Sequence, residues 1–253
     1  MHQRGTLQVG DRAAVAPEVL SPSLQGLGLG ESTVVQLLFE TPMALAMLPP
    51  SQHPSLPEHV SVLLWDCPES PFGPARFVQV RVGCRTGILP RGYVVSAFCD
   101  NDDFAHALRE GWGFPSERAT IERSSRYSRT DVSVSTDRTI LEGSIRDPAT
   151  VPEGVLAVAG SLNLIRIEEG PKLLQADFTH NLEVPEIGVA TLSTFDAEAL
   201  GEPLMRPTHA ISGSIAKGTV ELRPVRYLIG TTELAINDTT DIHVRALAPL
   251  PLV

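Results

Sequence analysis

Two polar side chains capable of chemistry, Ser116 and Glu117, directly follow Pro115. A carboxylate can act as a general acid or base, whereas a serine hydroxyl becomes a good nucleophile only when a base is placed beside it. His106 or His180 would have to supply that base, but the sequence contains no G-x-S-x-G elbow of the serine hydrolase kind. The residues alone therefore favour Ser116 as a helix-terminal or cavity-lining residue and not as a nucleophile.

The histidines and cysteines do not form a metal-binding pattern. His180 and His209 are isolated, without an H-x-H or H-E-x-x-H spacing, and Cys67, Cys84 and Cys99 lie at no zinc-like spacing. The odd number of cysteines also argues against a disulfide framework. We therefore predict no metal and no cofactor, and free thiols fit a reducing cytoplasm.

A short helix and the corner after it are predicted to position Ser116 and Glu117. Phe104 and the apolar residues three, four and eight positions later form one face of a helix. Asn101 or Asp102 can accept a hydrogen bond from its first turn. Because Pro115 prevents the helix from continuing, the chain must leave it in a fixed direction. Such a corner can direct a side chain into a cavity.

This corner resembles that of the acetoacetate decarboxylases and their relatives. The family has a strand, a D-N turn and a short helix that ends in G-R-E-x-W-G-[FY]-P; the matching residues here are Asp100-Asn101, Leu108-Arg109-Glu110 and Trp112-Gly113-Phe114-Pro115. The resemblance extends over roughly Ser32 to Leu228. It implies a mainly β (α+β) fold, an antiparallel conical β-barrel or double sheet with a few short helices. It also implies a pocket inside the barrel and a homo-oligomer.

The reactive residues of the family are absent at the matching positions. Two lysines follow the proline in the family, and the first forms a Schiff base with the β-keto acid; here these positions hold Ser116 and Glu117. Ser116 has no amine, and Glu117 carries the opposite charge to the second lysine, whose role is to make the first more nucleophilic. Arg76 stands near the place of a family glutamate, and Glu31-Ser32-Thr33 near that of an arginine. We therefore predict that the parent reaction is absent.

The resemblance nevertheless implies a substrate site at this corner. Glu117 and Ser116 would be its catalytic residues, and Arg76 and Arg118 would bind a polar small molecule. Its apolar walls would be the aromatic side chains of Trp112, Phe114, Phe72 and Phe98. For most of the charged run from 117 to 129, the favoured interpretation is a solvated strand edge.

Length and charge limit the domain organisation and the partners. The 253 residues suffice for one β-rich domain, which we place at 31–253, after an N-terminal arm at 1–30 that is expected to be extended or mobile. We predict short strands throughout the chain after Asp131, including one at 155–158, and a turn at 89–92. The net charge of −10 argues against binding to nucleic acid or to an anionic membrane surface. No apolar run approaches the roughly 18 residues of a membrane span.

Two classes of function remain. The first is an enzyme with altered, non-Schiff-base chemistry, such as a cyclase, dehydratase, isomerase or other lyase acting on a polyketide-like or β-dicarbonyl compound in secondary metabolism. It needs shape, hydrogen-bond donors and one acid or base rather than an amine. The second is a non-catalytic small-molecule-binding protein on the same fold. We favour the enzyme, because relatives of the family include members specialised for secondary metabolism.

The lysine content leads to a first prediction. Lys172 and Lys217 are the only lysines, and both lie near glycine in apparent turns. Ordinary exposed lysines are almost entirely protonated at neutral pH and are therefore poor nucleophiles. We expect neither decarboxylation of acetoacetate nor covalent trapping when borohydride is added together with a carbonyl substrate.

Two variants extend this test. Ser116→Lys alone should give little trapping, because the Glu117 carboxylate favours the ammonium form, and Ser116→Lys combined with Glu117→Lys should give more. Mass spectrometry of the trapped protein is the measurement. Substrate-dependent trapping of the unmodified protein at Lys172 or Lys217 would contradict the prediction.

Overall fold

A computed structural model describes residues 3–152, 154–156, 158–234 and 237–242. Within these residues three short helices, α1 (Val9–Val15), α2 (Ala44–Met47) and α3 (Asp102–Trp112), accompany fifteen strands. In chain order the strands are β1 (Leu27–Glu40), β2 (His53–Pro54), β3 (His59–Cys67), β4 (Ala75–Thr86), β5 (Leu89–Cys99), β6 (Ser116–Arg118), β7 (Thr120–Arg126), β8 (Arg129–Ser135), β9 (Thr139–Thr150), β10 (Gly160–Ile167), β11 (Gly170–Ala176), β12 (Phe178–Phe195), β13 (Ala210–Leu222), β14 (Tyr227–Gly230) and β15 (Thr239–Asp241).

All of these strands join one sheet. Its main path runs β15-β14-β11-β10-β5-β4-β3-β1-β13-β12-β9-β8-β7, with β2 beside β4 and β6 beside β5. Neighbours are antiparallel, except that β10 and β6 run parallel to β5. The predicted mainly β architecture with a few short helices is confirmed. The sheet is mixed, however, and its two end strands do not pair with each other in the described chain, so it is not a closed barrel.

The sheet forks at β5. One part of the free edge of this strand, Arg91 to Tyr93, pairs with Gly160 to Leu162 of β10. Further along the same edge, Ala97 to Cys99 pair with Ser116 to Arg118 of β6. On this edge of β5, the arm formed by β10, β11, β14 and β15 is therefore separate from the short strand β6.

Apolar side chains cover both faces of the sheet and form two cores. In β4, Val78, Val80 and Val82 belong to one core and Phe77 to the other, as expected from the alternation of side chains along a strand. The first core also contains Ile121 of β7, and we call it the hairpin core. The second contains the buried face of α3, and we call it the helix core. Burying one large apolar side chain contributes about 1.5–3 kcal/mol, so these two faces dominate the stability of the fold.

The predicted helix and corner are present. The Asn101 side chain accepts a hydrogen bond from the backbone N–H of Phe104 (3.0 Å), which caps α3. At the other end Gly113 adopts a left-handed conformation (φ 66°), and its N–H donates to the carbonyl of Arg109 (3.1 Å). The indole N–H of Trp112 donates to the carbonyl of Arg223 (2.7 Å), so the helix end is fixed against the sheet.

The N-terminal segment differs from the prediction of an extended or mobile arm. It contains α1, and β1 already begins at Leu27. Val19 is buried, and its N–H donates to the carbonyl of Arg166 in β10 (3.1 Å). Apart from α1, most of the segment packs against the domain as a loop, and the periodicity of a sequence does not reveal how a loop packs. The division between arm and domain remains a prediction.

Two further predictions were wrong in detail. Leu89 to Gly92 belong to β5 and not to a turn, because the chain reverses earlier, at Gly87, which has a positive φ of 62°. The predicted strand at 155–158 is absent from its described residues, and Val155 is exposed in a turn region; Ala157 lies outside the described residues. Among the residues that the structure describes, no helix combines the length and apolar character needed to cross a membrane.

Gly113 provides a test of this architecture. A side chain at this residue would have to adopt a left-handed conformation, which costs about 1–2 kcal/mol, and its Cβ would lie 2.2 Å from Ile165 Cγ2. We expect Gly113→Ala to lower the free energy of unfolding by at least about 2 kcal/mol, measured by equilibrium denaturation.

Gly10→Ala is the matched control. Gly10 lies within α1, and no atom lies within 4 Å of the position of an added Cβ. Alanine is the better helix former, so this change should be neutral or stabilise the protein by up to about 1 kcal/mol. Equal stability of the Gly113→Ala variant and the unmodified protein would mean that the corner is not built as described.

Candidate functional site

A polar groove of about 610 Å³ lies on the segment formed by β7, β8 and β9. Its lining is mainly charged and hydroxyl-bearing: Arg76, Glu122, Arg123, Ser124, Arg126, Arg129, Asp131, Val132, Ser133 and Glu142. The concentration of four arginines contrasts with the net charge of −10 of the chain. A charged or strongly polar ligand therefore suits the groove better than an apolar one.

One face of the three strands supplies most of the groove. Glu122, Ser124 and Arg126 occupy alternate positions of β7, so their side chains point to the same side. Direct cross-strand pairing continues this face onto β8 and β9. It produces a cationic row of Arg126, Arg129 and Arg146, a middle row of Ser124, Asp131 and Ser144, and an acidic row of Glu122, Ser133 and Glu142.

A network of ion pairs, which we call the seam, joins the groove to the centre of the sheet. The Asp66 carboxylate of β3 lies 3.4 Å from Arg76 Nε and 2.7 Å from Arg123 Nε. Arg76 Nη1 donates to the carbonyl of Ile121 (3.1 Å) and lies 3.5 Å from Asp100 Oδ2. Through these contacts β7 is held near β3 and β4, although it does not pair with either strand in the described sheet.

Arg76 is the one predicted site residue that lines this groove. Ser116 does not line it. The Ser116 side chain is buried, with 7% of the residue exposed, and its hydroxyl donates to the carbonyl of Ala105 in α3 (2.9 Å). In this arrangement the hydroxyl fastens the corner to the helix, as a helix-terminal serine does, and no base among the described residues is hydrogen-bonded to it.

Glu117 and Arg118 are exposed and are also not part of the groove lining. Arg118 Nε lies 3.6 Å from Asp102 Oδ1 at the start of α3. Glu117 pairs in register with Phe98 of β5. The corner therefore places these two side chains at the surface and outside the groove, which lies further along the chain on the strands that follow.

The four predicted aromatic walls pack against other apolar side chains. Phe114 and Trp112 belong to the helix core, where the Phe114 ring meets the Phe77 ring edge-on with centroids 5.0 Å apart. Phe98 belongs to the hairpin core. Phe72, which is partly buried, stacks on Phe104 with centroids 5.7 Å apart. None of the four lines the groove.

The amines and thiols of the described chain are poorly placed for covalent chemistry at the groove. Lys172 Nζ donates to both carboxylate oxygens of Asp238 (3.0 and 3.1 Å), and Lys217 is exposed in β13; neither lines the groove. Burial raises the pKa of Cys84 to about 12 and that of Cys99 to about 11, which disfavours the nucleophilic thiolate. The described residues contain no cluster of three or more histidine, cysteine or carboxylate side chains suited to a metal ion.

Sequence reasoning missed most residues of the groove. The charged run was interpreted mainly as a solvated edge, and Arg123, Arg126, Arg129 and the acidic row were not singled out as ligand-binding residues. A usable signal was present, because Glu122, Ser124 and Arg126 repeat with the period of two of a strand with one polar face. The sequence does not reveal which residues of β8 and β9 lie opposite them.

Comparisons with known proteins agree on the fold. No model of a known protein family and no curated protein matches the sequence. The enduracididine biosynthesis enzyme MppR complexed with pyruvate matches with a TM-score of 0.64 and 18% identity, covering 84% of this chain and 92% of that chain. Acetoacetate decarboxylase from Legionella pneumophila subsp. pneumophila str. Philadelphia 1 matches with a TM-score of 0.65 and 17% identity, covering 85% and 92%. An acetoacetate decarboxylase-like enzyme from Sphingomonas wittichii RW1 matches with a TM-score of 0.63 and 10% identity, covering 80% of this chain and 92% of that chain.

These structural neighbours are enzymes, and each matches over most of both chains. At such low identities the likeness establishes the fold and leaves the reaction open. The resemblance recognised at the helix and corner is therefore confirmed at the level of three-dimensional structure: this chain has the acetoacetate decarboxylase-like fold.

Proposed function

We propose that the protein is an enzyme that binds a small organic acid with a carbonyl group in the groove and moves a proton on it without an imine. The observation that carries the proposal is the groove itself, in which guanidinium groups and carboxylates line one cavity. Cyclisation, dehydration and isomerisation of a β-dicarbonyl or polyketide-like compound are reactions of this kind. The enzymatic nature of the structural neighbours, one of them named for a biosynthetic pathway, supports the assignment by analogy.

The seam supports a role for Arg76 in binding the acid. The Arg76 side chain is 38% exposed, and its contacts with Asp66 and Asp100 fix the orientation of the guanidinium. A planar guanidinium held in this way matches a carboxylate or an enolate oxygen, because two parallel N–H donors can meet two oxygens. Developing negative charge on the substrate would be stabilised by donors that are already oriented.

The acidic row supplies the proton acceptor in this proposal. Glu122 and Glu142 flank Ser133 across three strands, are exposed, and line the groove. A carbon next to a carbonyl group loses a proton more readily when a guanidinium stabilises the enolate that forms, so a carboxylate can serve as the base. The bond broken is C–H, the electron pair goes to the carbonyl oxygen, and the proton goes to the carboxylate.

A second candidate function is binding without catalysis. It is favoured by the absence of lysine, histidine, cysteine and tyrosine among the residues that line the groove in the described chain. Exchange of carbon-bound hydrogen for deuterium separates the two functions, because a binder has no means of accelerating it.

The exchange experiment uses pyruvate in D₂O at neutral pH, with loss of the methyl proton signal followed by NMR. We expect the protein to accelerate exchange, and we expect Glu122→Gln or Glu142→Gln to reduce the acceleration about 100-fold or more, the usual contribution of a general base. Glu183→Gln, an exposed change on β12 outside the groove, is the control and should leave the rate unchanged.

Acceleration that persists in the Glu122→Gln, Glu142→Gln double variant would exclude the acidic row as the base. A mass-spectrometric screen of cell extracts for compounds consumed by the protein complements the pyruvate test. Retention of a compound without turnover would support the binding protein.

Arg76 provides a separate prediction. Arg76→Ala should weaken pyruvate binding about tenfold, since charge-assisted hydrogen bonds contribute about 1.5–3 kcal/mol. Because the side chain is partly exposed, the loss of its ion pairs should lower the free energy of unfolding by only about 1 kcal/mol. Calorimetric titration and equilibrium denaturation measure the two effects.

Arg226→Ala is the matched control, because it also removes one arginine with an aspartate partner, Asp241 (3.0 Å), at an exposed position away from the groove. It should leave pyruvate affinity unchanged. Equal affinities of the Arg76→Ala and Arg226→Ala variants would remove Arg76 from the site.

A further inference from the structure

The cationic row places three guanidinium groups in direct register on neighbouring strands. Arg126 of β7 pairs with Arg129 of β8, and Arg129 pairs with Arg146 of β9. Neighbouring strands lie about 5 Å apart, and directly paired side chains point to the same side of the sheet. The row is therefore a cationic strip of about 10 Å across three strands, and Arg126 and Arg129 line the groove.

The protein itself neutralises only the middle of this row. Arg129 Nε donates to Asp131, which belongs to the middle row of the same face. Arg126 and Arg146 are exposed, and no ion pair to either is formed among the described residues. Like charges directly opposite each other destabilise a strand pair, so the arginine row is unfavourable unless an anion binds to it. Such a row is unusual in a chain whose net charge is −10.

Rows on this face follow one another at fixed distances. The acidic row lies four residues from the cationic row along β7, and a strand rises about 3.3 Å per residue. The backbones of the two rows are therefore about 13 Å apart, with the Ser124 hydroxyl and the Asp131 carboxylate lining the groove between them. A ligand anchored at the cationic row can extend along the face and present a second group to Glu122 and Glu142.

We infer that the cationic row is a phosphate-binding subsite, and that the ligand is an elongated organic phosphate with its reactive carbonyl about 13 Å from the phosphate. This inference rests on the proposed function for the role of the acidic row. A phosphate group has several oxygens, so it can accept hydrogen bonds from more than one of these neighbouring guanidinium groups at once. The phosphate belongs either to a phosphorylated small acid or to a phosphate-bearing carrier such as coenzyme A.

The test is calorimetric titration of the full chain with pyrophosphate, with ionic strength held constant by chloride so that general screening does not change. We expect one saturable site per chain. Arg126→Gln and Arg146→Gln should each weaken binding about tenfold or more, because each removes charge-assisted hydrogen bonds to the phosphate. Arg226→Gln, a change of the same kind at an exposed arginine away from the row, should leave the affinity unchanged.

Absence of saturable pyrophosphate binding to the unmodified protein would overturn the inference, whether or not the variants fold. Equal weakening by Arg226→Gln and by the row variants would overturn it too, since the effect would then report net charge alone. Parallel titrations with 6-phosphogluconate, a longer phosphorylated acid, and with coenzyme A distinguish the two sources of the phosphate. Tighter binding of either than of pyrophosphate supports the inference and identifies the source.

The outcome is separable from that of the proposed reaction. Pyrophosphate binding without acceleration of pyruvate exchange would retain the subsite and remove the proton-transfer role. Acceleration of exchange without pyrophosphate binding would retain the enzyme and overturn the subsite.

Discussion

The Asp66 carboxylate, which is shared by the guanidinium groups of Arg76 and Arg123, is the interaction on which the candidate site depends. The described sheet is open, and backbone hydrogen bonds hold only the start of β7 near the central strands, through β6 and Ala119 beside β5. Side chains hold the remainder of β7 there. Exposed ion pairs contribute about 0–1 kcal/mol each, but Asp66 is mostly buried, and removing both partners would leave a desolvated carboxylate without compensation.

The strands that carry the groove use their two faces for different purposes. Ile121 and Val134 point into the hairpin core, while their neighbours Glu122 and Ser133 point into the groove. The free energy that holds these strands in place comes from apolar burial on one side. The polar side is therefore held rigidly without having to supply stability, and an unfavourable arrangement of like charges can persist there.

Local signals in the sequence were sufficient for the helix and the corner after it. Asn101 caps the helix and Gly113 ends it, because both effects depend on residues within one turn of the chain. Local signals do not show the hydrogen-bond partner of Ser116: its hydroxyl donates to the carbonyl of Ala105, and that choice of partner depends on the packed structure.

The groove was harder to predict for a physical reason. Its rows exist because Arg126, Arg129 and Arg146 come into register, and register is set by the turn between β7 and β8 and by the bulges in the β8–β9 and β9–β12 ladders. The sequence of one strand does not show which residue of the neighbouring strand lies opposite each of its own residues. The aromatic side chains of Phe98 and Phe114 contribute to the two apolar cores, and a sequence does not show which core a buried ring joins.

The fork at β5 has a consequence for how such a protein changes during evolution. Because β10 and β6 pair with different residues of β5, the register of one arm does not determine that of the other. Substitutions on the outer face of β7, β8 and β9 do not enter either core, and distant, independent sites combine additively. Residues at the corner and charged residues on β7, β8 and β9 can therefore change in separate small steps. The protein can remain folded after each of these steps.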